Sequence, residues 1–172
     1  MYKALVRSHL DYCDIIYHIP SVQNQPPLGV SLTSLMQKVE RIQYQAAVAI
    51  TGTWKGSNRT KLYEELGWET LSDRRMCRRI LQIHKIMQYA TLSYLKDKLP
   101  NRRIYLFNAN LNNTFHEIKC KSLRYKNSFF PDAIKSWNNI ITYFHNVPSL
   151  KLLKDHITSL IRPKMKSIFE YN

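Results

Sequence analysis

Glycine is scarce in this chain, 4 in 172 residues, and no two of them are grouped. That excludes a glycine-rich phosphate loop, which needs several small residues packed around the anion. Acidic residues are also few, 12 against 26 lysines and arginines, and no two aspartates are adjacent. The paired carboxylates that hold two catalytic metal ions are therefore not visible. Three cysteines, Cys13, Cys77 and Cys120, lie far apart without a C-x-x-C pair, so neither a zinc ribbon nor a disulfide framework is indicated. An odd count without a secretory segment fits a reducing compartment. No apolar run of the signal-peptide kind opens the chain, and no stretch is apolar for long enough to span a membrane.

What is present points to a folded, helical protein. The composition is 44% hydrophobic and 12% aromatic, which is too apolar for a disordered chain. Few glycines beside 7 prolines favour helices over turn-rich β structure. The net charge is +14 and the pI about 9.8, a balance that suits nucleic acid or an anionic membrane surface. The charge is uneven: residues 1–69 hold 7 Lys and Arg against 6 Asp and Glu, and residues 70–172 hold 19 against 6. The second part carries the electrostatic footprint.

Hydrophobic periodicity predicts a helix over residues 2–17, with Tyr2, Leu5, Val6, Leu10, Cys13, Ile16 and Tyr17 as its apolar set. No capping residue precedes it, so the chain is expected to open inside a larger protein's element. Pro20, Pro26, Pro27 and Gly29 predict a loop. A second helix spans residues 32–51, with Ser31 as N-cap, Leu32, Leu35, Met36, Val39, Ile42, Ala46 and Ile50 as the buried stripe, and Gly52 at its end. Residues 59–66 form a short helix between Asn58 and Gly67. Trp68 reads as a core anchor, or alternatively as an exposed platform for a stacked base.

The next helix dominates the chain. Thr70 or Ser72 can cap it, and Thr70-x-x-Asp73 has the capping-box spacing. At about 100° per residue, Arg74, Arg75, Arg78, Arg79, Gln82 and Lys85 fall on one side. Met76, Cys77, Ile80, Leu81, Ile83, His84 and Met87 fall on the other, and Ile86 sits off the apolar face. Four arginines in six residues repel one another, so the expectation is a cationic face turned towards a polyanion. The alternative is an ordinary solvated face.

Beyond residue 100 the pattern weakens. Residues 101–127 have no sustained period and read as short strands or an ordered loop. They hold Arg102, Arg103, Lys119, Lys121, Arg124 and Lys126 interleaved with Tyr105, Phe107, Phe115 and Tyr125. Cations with aromatics between them suit single-stranded or structured nucleic acid; a basic loop whose aromatics dock on the core fits equally. Residues 131–141 are helical again, with Pro131 at the start and Ile134, Trp137 and Ile141 on one face. A last helix runs from Leu150 to Ile161, capped by Ser149 and striped by Leu150, Leu153, Ile157, Leu160 and Ile161. Pro163 and the basic tail Arg162, Lys164 and Lys166 follow it. The expected architecture is mainly α: a small bundle of about five to seven helices, with a helical region over 1–100 and a basic segment with C-terminal helices over 101–172.

Catalytic constellations are absent. Asp11 and Asp14 lie three apart and read as a solvated, charged helix face. The six histidines do not cluster. His116 and Cys120 have helical i, i+4 spacing, but two ligands do not make a zinc site. His84 reads as a core histidine and Cys77 as a buried thiol without a base. No cofactor or metal is indicated.

Several segments taken together resemble the C-terminal end of reverse transcriptases encoded by non-LTR (LINE-type) retrotransposons. These are LVRSHLDYCDIIYHIP, LMQKVERIQYQAAVAITG, KLYEELGWETLSDRR and SFFPDAIKSWNNI. The match falls on Leu5, Val6, Arg7, Leu10 and Tyr12, then on Val39, Gln43, Ala46, Ala47 and Gly52. It continues on Leu62, Leu66, Gly67, Trp68, Leu71, Arg74 and Arg75, and a later F-x-x-x-x-x-x-W-N pattern is met by Phe130, Trp137 and Asn138. Residues 101–127 carry it weakly. That family polymerises through a palm with a (Phe/Tyr)-Ala-Asp-Asp turn, and these 172 residues contain no such turn. The resemblance therefore implies the thumb and post-palm connection of a truncated element, without polymerase activity. It implies residual, non-specific binding of RNA, DNA or their hybrid, in the nucleus or cytoplasm and without a membrane. The residues expected to carry it are Arg74, Arg75, Arg78, Arg79, Lys85, Arg102, Arg103, Lys119, Lys121, Arg124 and Lys126. The alternative is a protein-interaction fragment that docks on an intact reverse transcriptase through the apolar faces of helices 2–17 and 32–51.

Overall fold

The computed structural model describes residues 2–17, 30–89, 93–104, 113–144 and 148–161. It is mainly helical, as the periodicity predicts, and has no strand among the described residues. Six longer helices account for most of it: α1 (Tyr2–Asp11), α3 (Val30–Thr51), α4 (Arg59–Glu65), α5 (Leu71–Gln88), α8 (Phe129–Ile141) and α9 (Leu150–Ile161). Three single turns are added, α2 (Asp14–Tyr17), α6 (Ser93–Lys96) and α7 (Leu123–Lys126). No helix among the described residues is long and apolar enough to cross a membrane. The predicted loop of Pro20, Pro26, Pro27 and Gly29 lies outside the described residues, as do the side chains of Leu32 and Leu35 and the tail from Arg162.

The chain divides into two compact units, residues 1–75 and 76–172. The division falls inside α5 instead of near residue 100. Its first turn contributes to one unit and its remainder to the other.

The first unit is held together by buried polar groups. The single helix expected over 2–17 is broken at Cys13, whose φ is +51°, a left-handed conformation that a side chain adopts only at some cost. Of the expected apolar set, Leu5, Cys13 and Ile16 are exposed, as is the neighbouring Tyr12. The stripe of α3 is likewise rotated from the expected one. Ile42 and Ile50 are exposed, while Gln43 and Ala47 are buried. Gln43 is inside because both ends of its amide have partners: Nε2 donates to the carbonyl of Glu69 at 2.8 Å, and Oε1 accepts from Tyr2 at 3.2 Å and from Arg74 at 3.4 Å. Trp68 packs within the unit as the core-anchor reading has it, stacked on Tyr2 at 4.0 Å between ring centres. Asn58 caps α4 by accepting from the N–H groups of Thr60 and Lys61.

Thr70 caps α5: the Asp73 N–H donates to its hydroxyl at 3.1 Å, and the hydroxyl donates to the Asp73 carboxylate at 2.7 Å. Glu40 on α3 completes this cap by accepting from the Leu71 N–H at 3.1 Å and from the Tyr63 hydroxyl at 3.4 Å. Burial pushes the Glu40 carboxyl above the ordinary range, partly offset by the Leu71 N–H. A raised carboxyl contributes stability at pH values below its unfolded pKa and loses it as pH rises through the folded one. Glu40→Gln keeps an acceptor for Leu71 and removes the ionisation. Denaturation curves from about pH 4 to about pH 7 are expected to show a decline in the parent that the Gln variant lacks.

The second unit has an apolar core. Ile80 and Ile83 of α5, Ala133, Ile134, Trp137, Ile140 and Ile141 of α8, Leu153 and Ile157 of α9, and Phe115 form one buried cluster. The predicted face of α8 is thus the buried one; on α9 Leu153 and Ile157 are buried, Leu150 is half-buried and Leu160 is exposed, and the side chain of Ile161 lies outside the described residues. Pro131 stands third in α8 behind Ser128. Ser149 caps α9 by accepting from the Leu152 N–H at 3.3 Å.

Candidate nucleic-acid interface

The cationic side expected of α5 is largely internal. Arg79 is 0% exposed, Arg75 2% and Arg74 6%. Each has partners within its own unit. Arg79 Nη1 donates to Asp132 Oδ2 at 2.6 Å. Arg74 reaches Asp11 Oδ1 with Nε at 3.0 Å and Nη2 at 2.7 Å. Arg75 donates to the carbonyl of Leu10 at 3.2 Å and to the sulfur of Met36 at 3.3 Å. These three guanidinium groups are consumed by the fold, so the expectation that they face a polyanion is corrected. The reason is that a buried cation must be paired, and α5 is enclosed around most of its circumference. Arg78 is half-buried and Lys85 is exposed.

The same contacts correct the reading of Asp11 and Asp14 as a solvated face. Asp11 also accepts from Arg7 Nε at 3.3 Å, and Asp14 is buried. His84 is the core histidine expected: Nε2 lies 2.8 Å from the carbonyl of Pro148. Since a carbonyl only accepts, Nε2 carries the proton. Cys77 is half-buried.

Of the expected binding residues, all the exposed ones except Lys85 lie on the irregular segment. Residues 101–103 run antiparallel to 114–116 through a single bridge between Arg102 and Phe115. Arg103 N–H donates to Thr114 at 2.9 Å and His116 N–H to Asn101 at 3.0 Å. Helix α8 clamps this ribbon. Asn138 accepts from the Phe115 N–H at 2.8 Å and donates back to the Phe115 carbonyl at 2.9 Å. The indole of Trp137 donates to the carbonyl of Asn113 at 3.1 Å. The adjacent Trp137–Asn138 pair thus satisfies backbone groups that a helical or sheet ladder would otherwise serve. After His116 the chain stays extended, so His116 and Cys120 do not share a helix face. Glu117, Lys119 and Lys121 point outwards, while Ile118 packs towards the core and Cys120 is half-buried, the alternation of an extended chain.

Arg102, Lys119, Lys121, Arg124 and Lys126 are exposed, and Arg103 is half-buried with Glu117 at 3.8 Å. Asn101, Arg102, Arg103, Ile104 and His116 line an open depression of about 610 Å³. Of the interleaved aromatics, Tyr125 is exposed between Arg124 and Lys126, whereas Phe115 is buried in the core. Tyr105 and Phe107 lie outside the described residues. Sequence reading missed the clamp's role, although Trp137 and Asn138 stand side by side, and it passed over the exposed Trp54. Asn138→Ala leaves two backbone groups of Phe115 without partners, an expected cost of about 1–3 kcal/mol. Urea denaturation checks it, and hydrogen exchange at Phe115 and His116 should rise with it.

The chain matches no family model, no curated protein and no solved structure.

Proposed function

We propose that the protein is a helical, non-catalytic nucleic-acid-binding fragment of the reverse-transcriptase type, gripping phosphates through its clamped basic segment. The observation that carries this reading is the exposure of Arg102, Lys119, Lys121, Arg124 and Lys126 on and after a ribbon whose Asn113 and Phe115 are tied to α8 by Trp137 and Asn138. A positioned backbone lets several cations meet successive phosphates without each contact ordering the chain afresh. The contacts are to phosphate, hence tolerant of sequence and sensitive to salt. The resemblance to the post-palm region supports the assignment of the ligand as RNA, DNA or their hybrid, and it goes with a nuclear or cytoplasmic location. No Asp-Asp turn occurs in the chain, so this reading includes no polymerisation.

Binding of a labelled RNA–DNA hybrid across a salt series tests it. The expected result is tight binding at low salt with a log–log slope of several units, on monomeric protein. A flat slope, or binding by aggregates alone, removes the reading.

A second reading has its own support. Leu5 on α1, Tyr12 between α1 and α2, and Ile16 on α2 stand exposed, which favours docking of these apolar groups on an intact reverse transcriptase. Gel filtration at high salt separates the two: oligomers that Leu5→Gln with Ile16→Gln disperses favour docking, and a parent that runs as a monomer counts against it.

A further inference from the structure

Trp54 is 83% exposed. It is the largest side chain among the described residues to stand so far out of the surface, and it does so from a hydrogen-bonded loop. Tyr44 of α3 holds that loop from below: its hydroxyl accepts from the Gly56 N–H at 2.9 Å and donates to the Ser57 carbonyl at 3.1 Å. Ser57 closes the turn from the other side, its N–H and its hydroxyl both donating to the carbonyl of Trp54, at 3.1 Å and 2.7 Å. Gly56 has a φ of +112°, a conformation essentially restricted to glycine. A methyl group there would lie 3.9 Å from Cδ1 of Trp54, so the indole edge sits directly beside this residue. Gly56 also lines a groove of about 550 Å³ with Arg41, Tyr44, Gln45, Val48, Ala49 and Lys55.

The groove carries two cations and no carboxylate. An apolar floor from Val48 and Ala49 thus has positive charge at its edge and an unstacked indole next to it. We infer that Trp54 is a stacking platform for an unpaired base, with Lys55 and Arg41 taking the adjoining phosphates. The occupant is a single strand, because a paired base keeps both faces in its own stack. Every base has a π face, so the site tolerates any sequence. An apolar protein segment would gain nothing from Lys55 and Arg41. The inference rests on the nucleic-acid reading above but uses different residues, in the other compact unit.

Trp54 also provides the signal, since Trp137 is buried and Trp68 is half-buried against Tyr2. Tryptophan emission is followed as a short oligoadenylate is added, and again with an abasic phosphodiester of equal length. Both titrations are run on the parent and on a variant with Arg102, Arg103, Lys119 and Lys121 changed to Gln. The expected result is quenching by the oligoadenylate and not by the abasic strand. Trp54→Phe should bind but show no quenching. Trp54→Ala in the Gln background should bind roughly 5- to 150-fold more weakly. Equal quenching by the abasic strand overturns the inference, as does undiminished binding by Trp54→Ala or self-association that depends on Trp54. If the parent binds hybrid with a steep salt slope while Trp54→Ala changes nothing, only this inference falls. If the parent binds no nucleic acid, the functional reading falls with it.

Discussion

Arg79→Ala is expected to destabilise the second unit by about 3–5 kcal/mol. Its guanidinium is fully buried and lies 2.6 Å from Asp132, so removing it strands a half-buried carboxylate. It also leaves a hole beside Ile80 and Ile83, two buried residues of the same helix. A domain's stability is typically about 5–15 kcal/mol, so a loss of this size is a large share of the whole. Asp132→Ala should be comparably damaging, because it leaves a buried cation without its carboxylate. The double variant should cost less than the sum of the two, since neither charge is then stranded. Arg79→Met with Asp132→Leu should recover much of the loss, because apolar replacement of a buried pair is often close to neutral. Guanidinium denaturation of the four proteins checks this. Additive losses would mean that the pair is not coupled as its geometry requires.

The second large effect is on binding. Changing Arg102, Arg103, Lys119 and Lys121 together to Gln should cost about 0.5 kcal/mol or less at each of the exposed Arg102, Lys119 and Lys121. The Arg103–Glu117 contact is long, at 3.8 Å, and exposed on its Glu117 side, and pairs of that kind contribute little. Each phosphate contact on a single strand steepens the salt slope by about 0.7. Losing four flattens it by about three, a drop of roughly several hundred-fold in affinity at 0.1 M salt relative to 1 M. Fluorescence anisotropy over a salt series measures both quantities. A stable variant with an unaltered slope would place the contacts elsewhere.

Local signals in the sequence were reliable where a residue acts on its immediate neighbours. Asn58, Thr70 and Ser149 cap the helices they precede. Ile134, Trp137, Leu153 and Ile157 fill the core that their spacing predicts. Orientation was harder to read where polar residues are inside. On α5 the periodicity gives the phase of the arginines but not the partners that bury them. Those partners, Asp11 and Asp132, are 63 and 53 residues away, a separation that no local pattern spans. One residue did signal the answer: Ile86 falls between Arg75 and Arg79 around the helix, and it is fully buried with them. An isoleucine in a supposed solvent face marks that face as enclosed. Helix α3 follows the same logic, with Gln43 inside because distant groups satisfy its amide. The clamp on residues 113–115 was hidden for a different reason. Its hydrogen bonds run from side chain to backbone across 23 residues in the case of Phe115 and Asn138, and they impose no period on either segment.

The distinction between structural and ligand-facing arginines can be measured directly by modifying the native protein with an arginine-specific dicarbonyl and mapping the adducts by mass spectrometry, with and without nucleic acid. Arg102 and Arg124 are expected to react readily and to be protected by bound nucleic acid. Arg74, Arg75 and Arg79 should remain unmodified until the protein unfolds, and nucleic acid should not change that. Rapid modification of Arg74, Arg75 and Arg79 in the native protein, suppressed by nucleic acid, would contradict the account and return the binding face to α5.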